Sequence, residues 1–424
     1  MGQFFHKLKL ILVDKGLRQR LLFVVAALFI FRLTAAVPIP GVNVEQLKNL
    51  FENNQFLGLL NVFSGSGLSN MSIVMLGVGP YITSSIIMQL LTMMSPKLKA
   101  MYHEEGEIGR KKFTQYSRLL MVPLAMLQGY GLLIILSRSG VLELPNAFAL
   151  WSSVIIVTAG SIFLTWLGEL ITEFGIGNGV SIIIFSGIVA RIPQIAADMK
   201  FKFTDPSLLP MYIGFAVAAV VIVAAVVVMT EAERPIPITY AKRVRGGKMY
   251  GGVSTYLPIR LNQAGVIPII FALSILLFPQ IVANFMKSFG GPGMQTVATF
   301  ITDHFQQGWA YNISYFVLVF LFTFFYTAVT FDSEATATNL QKSGAFIPGV
   351  RPGMATAEHI AAILQRTTFV GALFLSLIAV LPFVMQSMTN DVAMTIGGTA
   401  LLIVVSVVLD LIKKVDAQIS MREY

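Results

Sequence analysis

Long apolar runs separated by polar segments divide most of this chain. Ten of them approach the roughly 20 mostly apolar residues that a helix needs to cross a membrane. They cover residues 21–37, 74–94, 116–137, 150–168, 179–197, 209–230, 263–286, 310–330, 367–386 and 392–412. The pattern predicts an all-α membrane protein with ten transmembrane helices, numbered here as spans one to ten.

Two of these spans are interrupted. Span two follows a polar, Gly/Ser-rich stretch, residues 63–72. The interrupting residues are Gly77, Gly79 and Pro80 in span two, and Gly265 and Pro268 in span seven. Irregular backbone at membrane depth is tolerated only where it is buried in protein or lines a water-filled cavity. Both spans therefore point to a cavity or pore.

Composition and charge agree with a membrane protein and predict its orientation. The chain is 55% hydrophobic and 12% charged, whereas about 25% charged residues is usual for a soluble domain. If the N-terminus is cytoplasmic, 22 of the 30 Lys and Arg residues fall in inside segments and 5 in outside loops, while Arg32, Arg118 and Arg191 lie within predicted spans. Because basic residues favour the cytoplasmic side, both termini are predicted to be cytoplasmic.

Ten spans with both ends on one side can divide into two halves of five, residues 1–205 and 206–424. An odd number of spans per half makes the two halves face opposite ways, as in the inverted repeats of many transport proteins. Each interrupted span is the second of its half, and such paired interruptions indicate the transport path. Coincidence is the alternative, because Gly and Pro are common in membrane helices.

Branched aliphatic residues are candidates for a constriction. Val78 and Ile82 are four residues apart in span two, so they share a helix face. Val180 and Ile184 have the same spacing in span five. On an inward face, such side chains would close a pore by excluding water. The alternative is ordinary packing or contact with lipid.

Polar side chains inside the spans are a second group of candidates. They are Thr83 and Gln89 in span two, Gln128 in span three, and Asn262 at the start of span seven. Such groups often form hydrogen bonds between helices. They indicate either static contacts between helices or a polar seam between two halves that separate.

Ionisable residues are rare within the spans. Apart from Arg32 and residues at span borders, no Asp, Glu, Lys or His lies mid-span. This pattern argues against an ion-coupled carrier, which usually places such groups there. The chain also has no cysteine, no metal-ligand spacing of its histidines and no catalytic motif. The sequence therefore predicts a non-enzymatic protein without a cofactor or metal.

Two predicted cytoplasmic segments, about 231–262 and 331–366, are basic. The basic residues of the first are Arg234, Lys242, Arg243, Arg245, Lys248 and Arg260. Such a cluster binds RNA, anionic lipid or an acidic protein; the positive-inside rule alone is the other explanation. The second segment presents Arg351 within a turn rich in glycine and proline.

Several long motifs follow one another along the chain. They are FRLTAAVPIPGV around Arg32, FSGSGLSNMSIVMLGVGPYITSSIIMQLL from Phe63, WLGELITEFGIGNGVSIIIFSGI from Trp166, YAKR from Tyr240, LNQAGVIPIIFALSILLFP from Leu261 and NLQKSGAFIPGVRPG from Asn339. In their order and spacing these motifs resemble the SecY family of bacterial protein-translocation channels, and the resemblance covers nearly the whole chain.

The resemblance implies an hourglass pore between two five-helix halves, with four groups of functional residues. The pore ring would be Val78, Ile82, Val180, Ile184, Ile270 and Ile403. The plug would be a short helix at about residues 60–70, including Leu60, Asn61, Phe63, Ser64, Gly65, Gly67, Leu68 and Asn70. The lateral gate, a side opening toward lipid, would contain Thr83, Gln89, Gln128 and Asn262. The docking residues would be Lys242, Arg243, Arg245, Lys248 and Arg351.

The implied function is a channel that passes unfolded secretory proteins across the membrane and releases transmembrane segments sideways into it. The implied partners are SecE and SecG subunits, the SecA ATPase, the ribosome, preproteins that carry signal peptides, membrane lipids, and insertase and SecDF-type accessory proteins. The implied location is the bacterial plasma membrane. From the residues alone, a small-solute secondary transporter and a structural membrane scaffold stay open as alternatives.

Two departures from the family pattern affect these expectations. Family members often have two adjacent basic residues following a glycine after YAKR, whereas this chain has Gly246, Gly247 and Lys248. One basic contact is therefore lost or shifted to Arg245. Two ring positions are valines, which are smaller than isoleucine and would loosen the seal.

Overall fold

The computed structural model of this chain describes most of its residues. These are residues 14–43, 46–47, 61, 64–65, 67–103, 105–142, 146–190, 193, 209–240, 243–245, 248–250, 254–289, 291–305, 309–389 and 392–420. Leu60, Phe63 and Lys242, three of the predicted site residues, lie outside the described residues.

Helices make up most of the described chain. They are α1 (Lys15–Ala35), α2 (Gly79–Met94), α3 (Pro96–His103), α4 (Gly106–Arg138), α5 (Ala147–Phe174), α6 (Gly179–Val189), α7 (Leu209–Glu231), α8 (Ile267–Phe289), α9 (Pro292–Phe305), α10 (Trp309–Thr330), α11 (Ser333–Lys342), α12 (Met354–Thr389) and α13 (Val392–Ser420). The strands are β1 (Glu233–Tyr240), β2 (Arg243–Arg245), β3 (Lys248–Tyr250), β4 (Ser254–Arg260) and β5 (Ala345–Phe346).

Each predicted span overlaps a helix of the described chain. In order, spans one to ten correspond to α1, α2, α4, α5, α6, α7, α8, α10, α12 and α13. Among the described residues, four helices are long and apolar enough to cross a membrane, namely α4, α5, α10 and α12. The fold is therefore a helical membrane fold, as predicted, while the count of ten spans stays a prediction.

The helices of the two interrupted spans begin in the same way. Gly77 and Gly265 have φ angles of +59° and +61°, a left-handed conformation that favours glycine. Three residues after each glycine, Pro80 and Pro268 lie in the first turn of α2 and α8. Proline is tolerated there because first-turn N–H groups have no helical partner. Both helices therefore begin a few residues later than the predicted 74 and 263.

The chain divides into two compact units. The first contains Met1–Ala219, Leu273–Tyr311 and Pro382–Tyr424, and the second contains Val220–Ala272 and Asn312–Leu381. The two predicted halves, residues 1–205 and 206–424, stay a prediction.

In the first unit, an apolar cluster joins α4 and α5 to the residues that precede α2. Leu68, Met71 and Met75 contribute side chains that are almost completely buried. The same cluster includes Leu133 of α4 and Val157 of α5. Lipid tails are as apolar as these side chains, so close packing rather than burial stabilises such a core in a membrane. The non-helical residues before α2 are therefore part of the packed core.

Close backbone approaches hold α5 against the same residues. A Cβ atom at Gly160 would overlap the carbonyl oxygen of Ile73. Similarly, a Cβ atom at Gly179, the first residue of α6, would overlap the carbonyl oxygen of Gly168 in α5. Small residues permit such approaches between segments in membrane proteins.

In the second unit, the predicted loop 231–262 contains a β-hairpin. β1 pairs antiparallel with β4, and the register places Pro235 opposite Pro258. Ile236 and Ile238 are buried, while Pro235 and Pro237, which alternate with them, are exposed. The sequence pattern did not reveal these strands because proline is typical of turns. Alternate residues of an antiparallel strand need no donor toward their partner, so proline is tolerated at those positions.

A third strand connects the hairpin to the second predicted cytoplasmic segment. Thr239 of β1 pairs with Phe346 of β5, so the sheet has the order β4-β1-β5. The buried face of this sheet packs against Ile347 and against Ile360 of α12. The segments 231–262 and 331–366, which the sequence presents as separate loops, therefore form one packed structure.

We expect Gly160→Ala to destabilise the protein because the added methyl group would overlap the Ile73 carbonyl oxygen. Overpacking of this kind typically costs about 1–3 kcal/mol. Gly214→Ala is the matched control, since a Cβ atom there meets nothing within 4 Å. The midpoint of thermal unfolding in detergent should fall for Gly160→Ala and stay close to wild type for Gly214→Ala. Equal midpoints for the two variants would contradict the packing of α5 described above.

Candidate functional site

The residues between Asn61 and α2, here called the pre-helix segment, contain most of the predicted plug. Its described residues are 61, 64, 65 and 67–78. From 64 to 78 these residues form turns and a β-bridge rather than the predicted short helix. Gly65 and Met71 have φ angles of +63° and +45°, which are incompatible with a continuous right-handed helix. Asn61 is helical, whereas the described residues of the predicted plug from Ser64 to Asn70 form turns instead of the predicted short helix.

Buried polar side chains satisfy the backbone of the pre-helix segment. Asn61 Oδ1 accepts a hydrogen bond from the Ser69 N–H at 2.9 Å. Ser64 Oγ accepts one from the Leu68 N–H at 3.0 Å, and Ser72 Oγ donates one to the Gly67 carbonyl at 3.0 Å. Unpaired backbone groups are costly away from water. The serines and asparagine that made this stretch look unsuited to a membrane are thus the groups that allow it to lie there.

Backbone hydrogen bonds also join the pre-helix segment to the chain that follows α1. The Ile39 N–H donates to the Met71 carbonyl at 2.8 Å, and the Ile73 N–H donates to the Val37 carbonyl at 3.0 Å. This short antiparallel bridge satisfies backbone groups on both sides. The pre-helix segment is therefore attached to the end of span one as well as to α4 and α5.

A single hydroxyl group holds the turn at which α2 begins. Ser161 of α5 is fully buried, and its Oγ donates a hydrogen bond to the Gly77 carbonyl at 2.7 Å. Gly77 is the left-handed glycine of this turn. Since the turn falls within predicted span two, its carbonyl needs a partner from the protein. Ser161 supplies that partner from the neighbouring helix.

The predicted ring residues are mostly buried. Val78 immediately precedes α2, and Ile82 lies in its first turn. Val180 is partly exposed, with Cγ2 lying 3.2 Å from an ideal Cβ position at Gly168. The buried members are Val78, Ile82, Ile184, Ile270 and Ile403. A closed ring of these side chains stays a prediction.

The predicted lateral-gate residues differ in how their polar atoms are paired. Thr83 Oγ1 donates to the Gly79 carbonyl within its own helix at 3.1 Å. The Asn262 amide donates to the Gly265 carbonyl at 3.1 Å and so closes the turn before α8. Two other buried atoms, Gln89 Oε1 and Asn262 Oδ1, have no hydrogen-bond partner among the described residues. Gln128 lies partly buried on α4.

The described docking residues belong to the second unit, Arg351 to a turn and the others to strands β2 and β3. Arg351 is exposed between Gly349 and Gly353, whose φ angles are +83° and +102°. Its carbonyl accepts a hydrogen bond from Thr356 Oγ1 at 2.8 Å, which fixes the turn at the start of α12. Arg243 and Arg245 belong to β2, which pairs with β3 so that Arg245 lies opposite Lys248.

Sequence reasoning missed one contact of the pre-helix segment. Arg32 of α1 donates hydrogen bonds to the carbonyls of Gly65 and Ser186. The sequence marked Arg32 only as the charge within span one, and nothing in its pattern identified the two carbonyls. A buried charge with no carboxylate nearby in the sequence is nevertheless a signal that backbone groups serve as its partners.

These features define an α-helical membrane protein whose second span begins with an irregular, internally hydrogen-bonded segment. Residues 72–412 match the model of the SecY family. The chain is 41% identical over 429 aligned residues to the protein translocase subunit SecY of Streptomyces coelicolor, and the alignment covers 96% of both chains. The chain belongs to the SecY family.

Two solved structures share this fold over 95% of this chain and 93% of theirs. One concerns a SecY protein whose plug domain stabilises the closed state of the translocation channel and maintains a membrane seal (TM-score 0.65, 17% identity). The other is Sec61 in a canine ribosome–channel complex from the endoplasmic reticulum (TM-score 0.62, 17% identity).

We expect Ser161→Ala to destabilise the start of α2 because it leaves the buried Gly77 carbonyl without its donor. Loss of such a bond costs about 0.5–1.5 kcal/mol, and more where a buried group stays unsatisfied. Ser152→Ala on the same helix is the control, since Ser152 Oγ bonds only to the Ala149 carbonyl one turn earlier. Thermal unfolding in detergent should show a larger loss at Ser161 than at Ser152; the reverse order would contradict the role of Ser161.

Proposed function

We propose that this chain is the pore subunit of a protein-conducting channel in the bacterial plasma membrane, with both termini in the cytoplasm. It passes unfolded secretory proteins across the membrane and releases transmembrane segments sideways into it. The observation that carries this proposal is the irregular pre-helix segment, packed into the first unit of a chain that belongs to the SecY family. The chain performs no chemical reaction itself; the SecA ATPase or a translating ribosome supplies the driving work.

In this proposal residues 60–70, whose described part lies in the pre-helix segment, are the plug of the closed channel. Leu68 is completely buried, and the N–H groups of Leu68 and Ser69 are bonded to side chains within the segment. The bonds made by Asn61, Ser64 and Ser72 lie within the segment, so they can persist when it moves as a unit. The related SecY structure with a sealing plug domain supports the same assignment.

The proposed seal is an apolar ring formed by Val78, Ile82, Val180, Ile184, Ile270 and Ile403. Branched aliphatic side chains close a pore by excluding water while leaving a deformable opening. The two valines have less volume than isoleucine, so the plug carries more of the seal in this chain. The two interrupted spans would line this path, since paired interruptions at matching positions indicate the transport route.

Sideways release requires a gate whose polar groups exchange partners. Gln89 Oε1 and Asn262 Oδ1 are buried acceptors without partners in the described chain, which suits a seam that opens and closes. An apolar segment of cargo leaves toward lipid because lipid solvates it better than water does. Each central Leu, Ile, Phe or Val contributes about −0.3 to −0.6 kcal/mol to that transfer.

The proposed docking surface for the motor or ribosome comprises Lys242, Arg243, Arg245, Lys248 and Arg351, which belong to the two basic segments. β5 joins the two basic segments, so that both are presented by one rigid structure. The Sec61 structure was solved in a ribosome–channel complex, which supports a ribosome as partner. SecE and SecG subunits, preproteins, lipids and insertase or SecDF-type proteins complete the proposed set of partners.

Deletion of residues 60–70 tests the plug assignment. We expect the reconstituted channel complex to show a several-fold higher ion current across planar bilayers, because the deletion opens the path that the segment fills. Gly214→Ala, which adds a methyl group in open space, is the control for purification and reconstitution. An unchanged current after the deletion would refute the plug assignment.

Reversal of charge at Arg351 tests the docking surface. We expect Arg351→Glu to slow ATP-driven export several-fold and to weaken binding of the motor, because charge reversal at an interface lowers the association rate. The amount of channel in the membrane should not change, since only the exposed side chain is altered. Arg138→Glu, an exposed arginine at the opposite end of span three from the cytoplasm, is the matched control. Normal export by Arg351→Glu would remove this residue from the docking surface.

A further inference from the structure

Arg32 joins three separate parts of the first unit. It lies near the end of α1, and its guanidinium donates to the carbonyl of Gly65 at 3.3 Å through Nη1. Through Nη2 it donates to the carbonyl of Ser186 in α6. Gly65 belongs to the pre-helix segment, so one side chain bridges that segment, span one and span five. Both partners are backbone carbonyls rather than carboxylates.

At this point the backbone of the pre-helix segment lies directly against that of α6, and the Phe31 ring of α1 packs against Gly65. Gly65 has φ +63°, and a Cβ atom there would lie 2.5 Å from Phe31 Cζ. A Cβ atom at Gly187 would overlap the Gly65 backbone. Only glycine at both positions permits this approach. The close approach places the Gly65 carbonyl within hydrogen-bond distance of the Arg32 guanidinium, which also donates to Ser186 of α6.

The rest of the pre-helix segment is held to α1 by neutral hydrogen bonds. Asn70 Nδ2 donates to the Ala35 carbonyl at 3.3 Å, and the Ile39 N–H donates to the Met71 carbonyl at 2.8 Å. Hydrogen bonds from a charged donor are roughly twice as strong as neutral ones. The bond from Arg32 to Gly65 is the charge-assisted attachment in this set.

A charge at this depth is unfavourable unless it is paired. Charged residues within membrane spans are rare and mark functional positions. The planar guanidinium suits a bridge between two acceptors, which the single ammonium of lysine cannot reproduce in the same geometry. If the Gly65 carbonyl moves away, Arg32 loses one of its two partners. It then needs water, which enters only when the path is open.

We propose that Arg32 is the positioning residue that latches the plug: it holds the Gly65 carbonyl against Ser186 at the end of span five and thereby keeps the channel closed. This inference rests on the proposed assignment of the pre-helix segment as the plug. Displacement of the plug breaks the hydrogen bond from Arg32 to Gly65 and leaves the one to Ser186 of α6 in place. The latch therefore favours the closed state most strongly when no water reaches the guanidinium.

A labelling experiment tests the latch directly. The chain contains no cysteine, so a single Ser64→Cys substitution gives one reactive site. Ser64 is 1% exposed and adjacent to Gly65, and its thiol becomes accessible only if the plug is displaced. We expect a membrane-impermeant maleimide to label Ser64→Cys several-fold faster in an Arg32→Met background. Methionine keeps an unbranched apolar side chain in the span while removing all the donors.

Two further variants control this experiment. Arg20→Met removes an exposed arginine from the same helix and should leave the labelling rate unchanged. Arg32→Lys keeps the charge without the fork and should give an intermediate rate. A wild-type rate for Arg32→Lys would overturn the bridging role, and a wild-type rate for Arg32→Met would overturn the latch altogether. Equal membrane levels and a monodisperse elution profile establish that each variant folds.

Ion current separates the latch from the plug assignment. We expect Arg32→Met to raise the current in the full-length channel and to add nothing in the channel that lacks residues 60–70. A leaky deletion combined with a tight Arg32→Met channel would refute the latch alone. A deletion that does not leak would refute the proposed plug, while the labelling rate would still report whether Arg32 holds the segment. Additional current from Arg32→Met in the deleted channel would place its effect elsewhere and overturn the proposal.

Discussion

The constraint on which this structure depends is that backbone polar groups at membrane depth must find partners within the protein. Helices meet it automatically, but the turns between Ser64 and Val78 do not. Their carbonyls and N–H groups are satisfied by Asn61, Ser64 and Ser72 from within, and by Ser161 from α5. The polar character of the segment is thus a requirement of its shape. It allows irregular backbone to fill a space that a straight helix would leave open.

Much of the helical framework could be predicted from the sequence, because apolar runs of sufficient length have few alternatives in a membrane. The Gly/Pro interruptions also marked the correct places. However, the sequence could not show that Gly77 and Gly265 begin helices rather than break them, since that depends on their positive φ angles. Nor could it show the described residues from Ser64 to Asn70 as turns, because local Gly and Ser content is compatible with either form. Spacing and polarity raised candidates for a constriction and a polar seam, whereas the full ring and gate came from family resemblance and stay predictions.

Contacts distant in sequence could not be predicted at all. The pairing of β1 with β5 joins residues more than 100 positions apart, and it unites two basic segments that look independent in the sequence. The prolines of β1 and β4 concealed the alternation of buried isoleucines that defines the hairpin. Likewise, the bond from Arg32 to Ser186 spans 154 positions and carries no local signature. Such features arise from packing, which a linear pattern does not encode.

The pairing of Pro235 with Pro258 has a consequence for the strand edge. Neither proline can donate, so this is a non-hydrogen-bonded pair, and the nitrogens of Pro235 and Pro237 point toward the opposite side of β1. In the described chain, β5 covers that side only at Thr239 and Tyr240. The remaining edge offers no amide hydrogens at its proline positions, so an extended peptide cannot add to it as a further strand. At this edge of β1, the sheet is thereby kept from binding an unfolded polypeptide as a further strand.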